Sequence, residues 1–228
     1  MPAVVFDFDG VLADTERVHL AVTQDVYRDR GWSLNEADYF AEYLGYDDAE
    51  LLKRFAADNG IAIDDDGIKA IVDEKFGRFH ERLAGGDALY PGTRACVGRV
   101  RERFQIAIAS GAQHADIVAI LRTGGLAGVF PVIVGIDDVE HGKPSPDPYE
   151  KAVTLLGVPP REAVAIEDSR WGIASAREAG LRTIGVTTNY AAASLGGPDA
   201  VIDSLDELTV DLIERILGAP ALGSRPGI

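Results

Sequence analysis

Val4-Val5-Phe6-Asp7-Phe8-Asp9-Gly10-Val11-Leu12 is an apolar run that closes on two carboxylates, with a glycine directly after the second. Residues 3–8 read as a buried strand, nearly all apolar up to the acidic pair. Side chains two apart on an extended chain point to the same side. Asp7 and Asp9 therefore face one place where the strand stops. Gly10 lets the backbone turn there without a Cβ penalty. Two like charges side by side repel, and a divalent cation relieves that cost. Taken alone, the pattern is equally a polar strand end in which Asp-Gly marks a turn. The rest of the chain has to decide.

The next strand-like run is Gln105–Ala109, ending at Ser110-Gly111. About a hundred residues separate the two runs, whereas a parallel crossover needs only about a dozen. The connection therefore contains an inserted unit, and it reads as helical. Val18, Val22 and Val26 recur every four residues after Thr15, a capping residue type. Leu51, Leu52, Phe55 and Ala56 make a second apolar face, and Ile68, Ile71, Val72, Phe76, Phe79 and Leu83 a third. Residues 13–16 and 84–88 are the natural hinges.

After residue 88 strands and helices alternate. Helix 93–103 leads to strand 105–109, helix 113–123, a strand at 130–134, helix 147–156, strand 163–166, a helix capped by Ser169 and ended by Gly180, and strands 183–186 and 200–202. Pro131 marks its strand as an edge or a strand start. Ser204-Leu205-Asp206-Glu207 reads as a capping box opening the last helix. The alternation implies an α/β fold with a doubly wound parallel sheet. The domains are then a core of residues 1–14 and 88–218, a helical cap of 15–87, and a loose tail of 219–228.

Composition narrows the partners. The 228 residues are 46% hydrophobic and 26% charged, ordinary for a soluble protein. A net charge of −15 argues against nucleic acid, which is bound through its phosphates by basic surfaces. The single cysteine, Cys96, forms no internal disulfide, which fits a reducing compartment. No signal peptide and no membrane-length apolar run is seen. The expectation is a cytoplasmic protein without a membrane partner.

Doubly wound sheets bind ligands beyond the carboxyl ends of their strands. Here Asp7 and Asp9, Ser110, and Glu167 with Asp168 all stand at such ends, and Lys143 lies in a loop at the same end. Four carboxylates and one lysine leave an excess of negative charge. A hard dication with oxygen ligands resolves it, and Mg²⁺ is the usual one for phosphate chemistry. Ser110 with the N–H groups after it, Gly111 first, suits phosphate oxygens, and Lys143 supplies a point charge. Asp7 as nucleophile gives an aspartyl phosphate. Asp9 can protonate the leaving oxygen and then take a proton from water. Each residue alone has a bland reading: a turn at Ser110-Gly111, a solvated Lys143, a helix cap at Glu167-Asp168-Ser169. Their joint order favours the chemistry.

Four motifs in order carry a family resemblance: Asp7-Phe8-Asp9-Gly10-Val11-Leu12, Ala109-Ser110-Gly111, Gly142-Lys143-Pro144, and Ile166-Glu167-Asp168-Ser169 with Gly172 and Ala179-Gly180 beyond. Over roughly residues 2–210 the chain resembles the haloacid dehalogenase superfamily, in particular its capped β-phosphoglucomutase and phosphoglycolate phosphatase-like group. The resemblance implies a Rossmann-like core with a cap. It also implies Asp7 as nucleophile, Asp9 as acid/base, and Ser110, Gly111 and Lys143 on the phosphate. Mg²⁺ would be held by Asp7, Asp168 and the backbone carbonyl of Asp9, with Glu167 in or next to that shell.

The expected activity is hydrolysis of a small phosphorylated metabolite, a sugar phosphate or a phosphoglycolate-like ester. A phosphomutase of the β-phosphoglucomutase type is the near alternative. In Tyr43-Leu44-Gly45-Tyr46-Asp47-Asp48-Ala49-Glu50, leucine and aspartate stand where such mutases carry basic residues, although Lys53 and Arg54 follow one turn on. A phospho-accepting receiver-type signalling module is the alternative of another class. The histidines His19, His80, His114 and His141 do not make a zinc motif. His19 reads as facing the cleft, packing or solvated, Trp171 as packing in the core ahead of bordering the substrate pocket, Tyr39, Tyr43 and Tyr46 as cap core ahead of lining the leaving-group pocket, and Asp64-Asp65-Asp66 as a solvated helix start.

Overall fold

The computed structural model describes residues 1–43, 46–85 and 88–218. The chain divides into two compact units, Met1–Asp14 with Asp87–Ile228, and Thr15–Gly86. The tail expected to be loose, residues 219–228, and part of the second hinge, Gly86 and Asp87, lie outside the described residues.

The first unit is built on six parallel strands: β1 (Ala3–Phe6), β2 (Gln105–Ala109), β3 (Val132–Val134), β4 (Ala163–Glu167), β5 (Arg182–Val186) and β6 (Ala200–Ile202). Their order is β3-β2-β1-β4-β5-β6, that of a Rossmann-type sheet, which makes the fold α/β and doubly wound. The chain first works outward on one side of β1 and then returns to its other side. The switch point between β1 and β4 is where such sheets bind ligands. Pro131 directly precedes β3, which is both a strand start and an edge. A proline there costs no ladder hydrogen bond.

In chain order the helices are α1 (Thr15–Arg28), α2 (Glu36–Asp38), α3 (Asp48–Asp58) and α4 (Asp65–Gly85) in the inserted unit. Then follow α5 (Thr93–Arg101), α6 (His114–Thr123), α7 (Asp147–Leu156), α8 (Arg170–Glu178) and α9 (Val210–Gly218). Both faces of the sheet are covered, which is why the strands are apolar throughout rather than alternating. One face is small: Ala3, Val5, Ala107, Ala109, Ala163 and Ala165 pack with Tyr149, Ala152 and Val153 of α7 and Ala176 of α8. Alanine lets those helices sit close. The other face is bulky, with Phe6, Ile108 and Ile166 fully buried and Phe6 meeting Phe130 edge to face at 6.1 Å. Burying each of these larger side chains contributes about 1.5–3 kcal/mol.

Two expectations need correction here. The first strand ends at Phe6 rather than at residue 8, because Phe8 already accepts turn hydrogen bonds from Leu12 and Ala13. The Ser204 segment does not open the last helix. It leads into a 3₁₀ turn, Leu205–Glu207, with no side-chain cap from Ser204. The last helix starts at Val210, and the Thr209 hydroxyl accepts from the Leu212 N–H at 3.1 Å.

The inserted unit is helical, with a π-helical turn, Tyr39–Tyr43, between α2 and α3. Asp64 caps α4 through the Gly67 N–H at 2.8 Å, and Asp65 and Asp66 are exposed. The buried stripe of α4 is Ile68, Ile71, Lys75, Phe79 and Leu83. Phe76, expected in it, is 54% exposed, and a lysine holds the place. Lys75 is tolerated there because its ammonium is paired with Asp48; an unpaired buried charge would cost several kcal/mol, roughly. Tyr39 and Tyr43 are buried, with hydroxyls on Glu16 and Asp58, whereas Tyr46 is exposed.

Thr209→Ala is expected to destabilise the protein by about 1 kcal/mol, the usual worth of a side-chain cap. Ser204→Ala should cost less than about 0.5 kcal/mol. Urea unfolding of both variants checks the corrected helix start, and a larger loss at Ser204 would reverse it.

Candidate active site

The sheet register places the acidic groups. Phe6 lies level with Ile108 of β2 and Ile166 of β4, and the Asp7 N–H continues the ladder to the Ile166 carbonyl at 2.9 Å. Asp7 therefore emerges beside Glu167 and Asp168, next to Ser110 after β2. Asp7, Glu167 and Asp168 are all buried, and each offers an oxygen within 4.8 Å of the others. Into this group reaches Lys143, from the loop before α7. Its ammonium lies 2.8 Å from Asp7 Oδ1 and 2.6 Å from Glu167 Oε1.

Two glycines make the crowding possible. Gly10 has φ +76°, and a Cβ on it would fall 2.0 Å from Asp168 Oδ2. A Cβ on Gly172 would fall 1.7 Å from Glu167 Oε1. Any side chain at either position displaces a carboxylate.

Glu167 is saturated with donors. Oε1 accepts from Lys143 at 2.6 Å and from the Tyr149 hydroxyl at 2.8 Å. Oε2 accepts from the Ser169 hydroxyl at 3.2 Å and the Ser169 N–H at 3.3 Å. The same Ser169 hydroxyl accepts from the Gly172 N–H at 3.1 Å and so caps α8. Asp168 Oδ2 accepts from Asn189 Nδ2 at 2.8 Å, and Asp7 Oδ1 from the Phe8 N–H at 2.7 Å. The Asp9 carboxylate is not one of the three grouped together. Its Oδ2 accepts from the Ser110 hydroxyl at 3.3 Å, and that hydroxyl accepts from the Ala112 N–H at 3.0 Å. Gly111 is exposed at the same turn.

One ammonium does not balance this much acid. Burial pushes the Asp7 carboxyl well above its ordinary value, and Glu167 adds to the rise, with Lys143 only partly opposing it. Asp168 is pushed up to about 7, first by burial and then by Glu167. Burial works against the Lys143 ammonium, but Asp7 and Glu167 outweigh it and hold Lys143 above its usual range. A buried, all-oxygen, anionic donor set with a charge deficit fits a hard divalent cation.

The sequence-predicted residues Asp7, Lys143, Glu167 and Asp168 come together directly, and Asp9 is hydrogen-bonded to the predicted Ser110. Tyr149 and Asn189 were missed. Tyr149 stood in the sequence as an ordinary apolar position of α7, and Asn189 as a loop residue, and neither carries a motif. Trp171 is not in the core: it is 43% exposed, under the Arg170 guanidinium at 4.4 Å. Its neighbours on α8, Gly172 and Ile173, take the buried face instead. His114 pairs with Asp138 at 2.9 Å and His141 with Asp147 at 3.2 Å. His19 belongs to the inserted unit, where it stacks on Phe79 at 4.0 Å. Burial and then Lys75 lower its pKa to about 4. Cys96 is buried, which raises its thiol to about 11 and makes it a poor nucleophile. Among the described residues no helix is long and apolar enough to cross a membrane.

Comparison with known proteins agrees with this geometry. A family model described as haloacid dehalogenase-like hydrolase matches residues 1–180. Protein CbbY of Rhodobacter capsulatus is 32% identical over 197 residues, 83% of this chain and 87% of its own length. A phosphoglycolate phosphatase of Mesorhizobium japonicum is 27% identical over 226 residues, 96% of this chain and 97% of its own length. Among solved structures, mutant CbbY from Rhodobacter sphaeroides in complex with xylulose-(1,5)bisphosphate superposes with a TM-score of 0.74 at 31% identity, covering 91% of this chain and 96% of that one. The chain belongs to the haloacid dehalogenase-like hydrolases. Within that family it is a phosphoric monoester hydrolase.

The charge deficit has a pH signature. Asp168 stands at about 7 in the folded protein against an ordinary 3.8. A carboxyl with a raised folded pKa contributes stability that is whole below the unfolded pKa and lost as pH rises through the folded one. In chelator the melting temperature should therefore fall as pH rises from about 5 to 8, and Asp168→Asn should lessen that fall. Circular dichroism melts test this; parallel curves for the two proteins would exclude a raised Asp168 carboxyl.

Proposed function

We propose that the protein is a Mg²⁺-dependent phosphatase of a small phosphorylated metabolite, acting through an aspartyl phosphate on Asp7. The observation that carries the reading is the grouping of Asp7, Glu167 and Asp168, the first two paired with the Lys143 ammonium, at the β1/β4 switch point. Lys143, Ser110 and the backbone N–H groups around Gly111 receive the phosphate oxygens. An Asp7 oxygen attacks phosphorus, and the bond from phosphorus to the leaving oxygen breaks. Asp9 gives that oxygen its proton. Asp9, now anionic, takes a proton from water as the water attacks phosphorus. The bond to Asp7 breaks, inorganic phosphate leaves, and Asp7 is a carboxylate again.

The ion would be held by Asp7, Asp168 and the Asp9 backbone carbonyl, with Glu167 in or beside that shell. When bound, Mg²⁺ supplies the positive charge that keeps Asp7 anionic beside a phosphate dianion. Positioning and charge neutralisation then carry most of the catalysis. We propose the helical unit, Thr15–Gly86, as the cap.

The relatives support a small phosphorylated substrate. CbbY was crystallised with a sugar bisphosphate, and the Mesorhizobium relative is a phosphoglycolate phosphatase. A sugar phosphate or phosphoglycolate-like ester is the proposed class. One observation speaks against the mutase. Of the two basic residues one turn on, Lys53 is exposed, and Arg54 is bound to Glu50 at 3.0 Å and lies over the Tyr46 ring at 4.1 Å. Leu44 and Gly45, the centre of the stretch compared with the mutases, lie outside the described residues. The inserted unit, and an acid two residues after Asp7, speak against a receiver-type module.

Free-phosphate release from a panel of sugar phosphates and phosphoglycolate tests the proposal. Asp7→Asn should release none, and Asp9→Asn should slow release by roughly 10²–10⁴-fold. EDTA should abolish activity and Mg²⁺ restore it. Near wild-type turnover by Asp7→Asn would rule out the covalent scheme. Isomer formation from a sugar 1-phosphate with catalytic bisphosphate, without free phosphate, would turn the reading to the mutase.

A further inference from the structure

Among the described residues the acidic cluster is ion-paired with one cation, Lys143, and that cation also has to meet an incoming phosphate. Something else must hold the carboxylates. Two neutral donors stand in that position, on elements remote from each other. Tyr149 of α7 is fully buried. Its hydroxyl donates to Glu167 Oε1 at 2.8 Å, and its ring lies 5.1 Å from the Lys143 ammonium. One side chain thus fixes both members of the Lys143–Glu167 pair. On the other side Asn189, in the loop after β5, donates from Nδ2 to Asp168 Oδ2 at 2.8 Å. Its place is tight: a Cβ on Gly10 would come within 2.6 Å of that nitrogen.

Glu167 has room for about four hydrogen bonds, and Lys143, Tyr149 and the two Ser169 donors fill it. Without the Tyr149 hydroxyl, Lys143 would be the one remaining donor to Oε1 among these four, and the ammonium would be drawn toward Glu167. Without Asn189, Asp168 Oδ2 loses the bond that holds the carboxylate in one orientation against its neighbours. Groups that hold metal-binding carboxylates from behind in this way typically matter 10–100-fold for metal affinity, roughly.

We propose that Tyr149 and Asn189 are positioning residues: Tyr149 holds Glu167 beside the metal shell and leaves Lys143 available to the phosphate, and Asn189 holds Asp168 ready for the metal ion. The assignment rests on the phosphatase reading for its purpose, but its test does not use turnover. Mg²⁺ is titrated calorimetrically into the 228-residue wild type, Tyr149→Phe and Asn189→Ala, without substrate, each first shown to be folded by its circular dichroism melt. Tyr149→Phe keeps the ring and removes one hydroxyl, so its fold is retained. Each variant is expected to bind Mg²⁺ at least about 10-fold more weakly. Binding within twofold of wild type overturns the assignment for that residue, including the case of a lowered melting temperature with unchanged Mg²⁺ affinity, which would mark a purely structural role. Should Asn189→Ala not fold, Asn189→Ser is held to the same criterion. A wild type that binds Mg²⁺ yet hydrolyses no phosphate ester would sink the phosphatase reading and leave this assignment in place.

Discussion

Three carboxylates buried around one ammonium are the constraint on which the sheet unit is organised. An unpaired buried carboxylate costs several kcal/mol, roughly, and the fold meets that cost piece by piece. Parallel pairing of β1 with β4 brings Asp7 beside Glu167. Lys143 bridges those two. Ser169 caps α8 and serves Glu167 with the same hydroxyl. Gly10 and Gly172 have no side chain because the oxygens of Asp168 and Glu167 occupy the space. The residual deficit is what makes the group suited to a dication.

The inserted unit solves a smaller version of the same problem. A lysine sits in the apolar stripe of α4, and Asp48 at the start of α3 neutralises it. His19 lies near both and has its pKa lowered. Removing Asp48 would leave the Lys75 ammonium buried without its partner, whereas Asp48 itself is one-third exposed. The pair ties α4 to α3 by charge in addition to their apolar packing.

Much of the architecture was legible because strands buried on both faces are written as uninterrupted apolar runs, and polar residues at their carboxyl ends stand out against them. Asp7, Ser110, Glu167 and Asp168 were visible for that reason, and Lys143 through its place in a loop at the same end. Hydrogen bonds between distant segments leave no such trace. Nothing local distinguishes Tyr149 from an aromatic that merely packs, or Asn189 from a loop asparagine. Periodicity also fails for Lys75, since a count of apolar spacing assigns the stripe to Phe76 beside it and treats a charge as solvated. At the last helix two capping residue types lie five apart, Ser204 and Thr209, and only the hydrogen bond to Leu212 separates them.

The strand that the chain writes first stands in the middle of the sheet, between β2 and β4. Ala3 has to wait for Gln105 on one side and Ala163 on the other. Its ladder is thus among the least local in the molecule, the kind of pairing that slows folding. The inserted helices, which touch one another across much shorter spans of chain, need no such delay. During synthesis the order of assembly therefore runs against the order of the sequence: this apolar segment remains without its sheet partners until more than a hundred further residues have followed, the interval in which an unpaired strand is most exposed to aggregation.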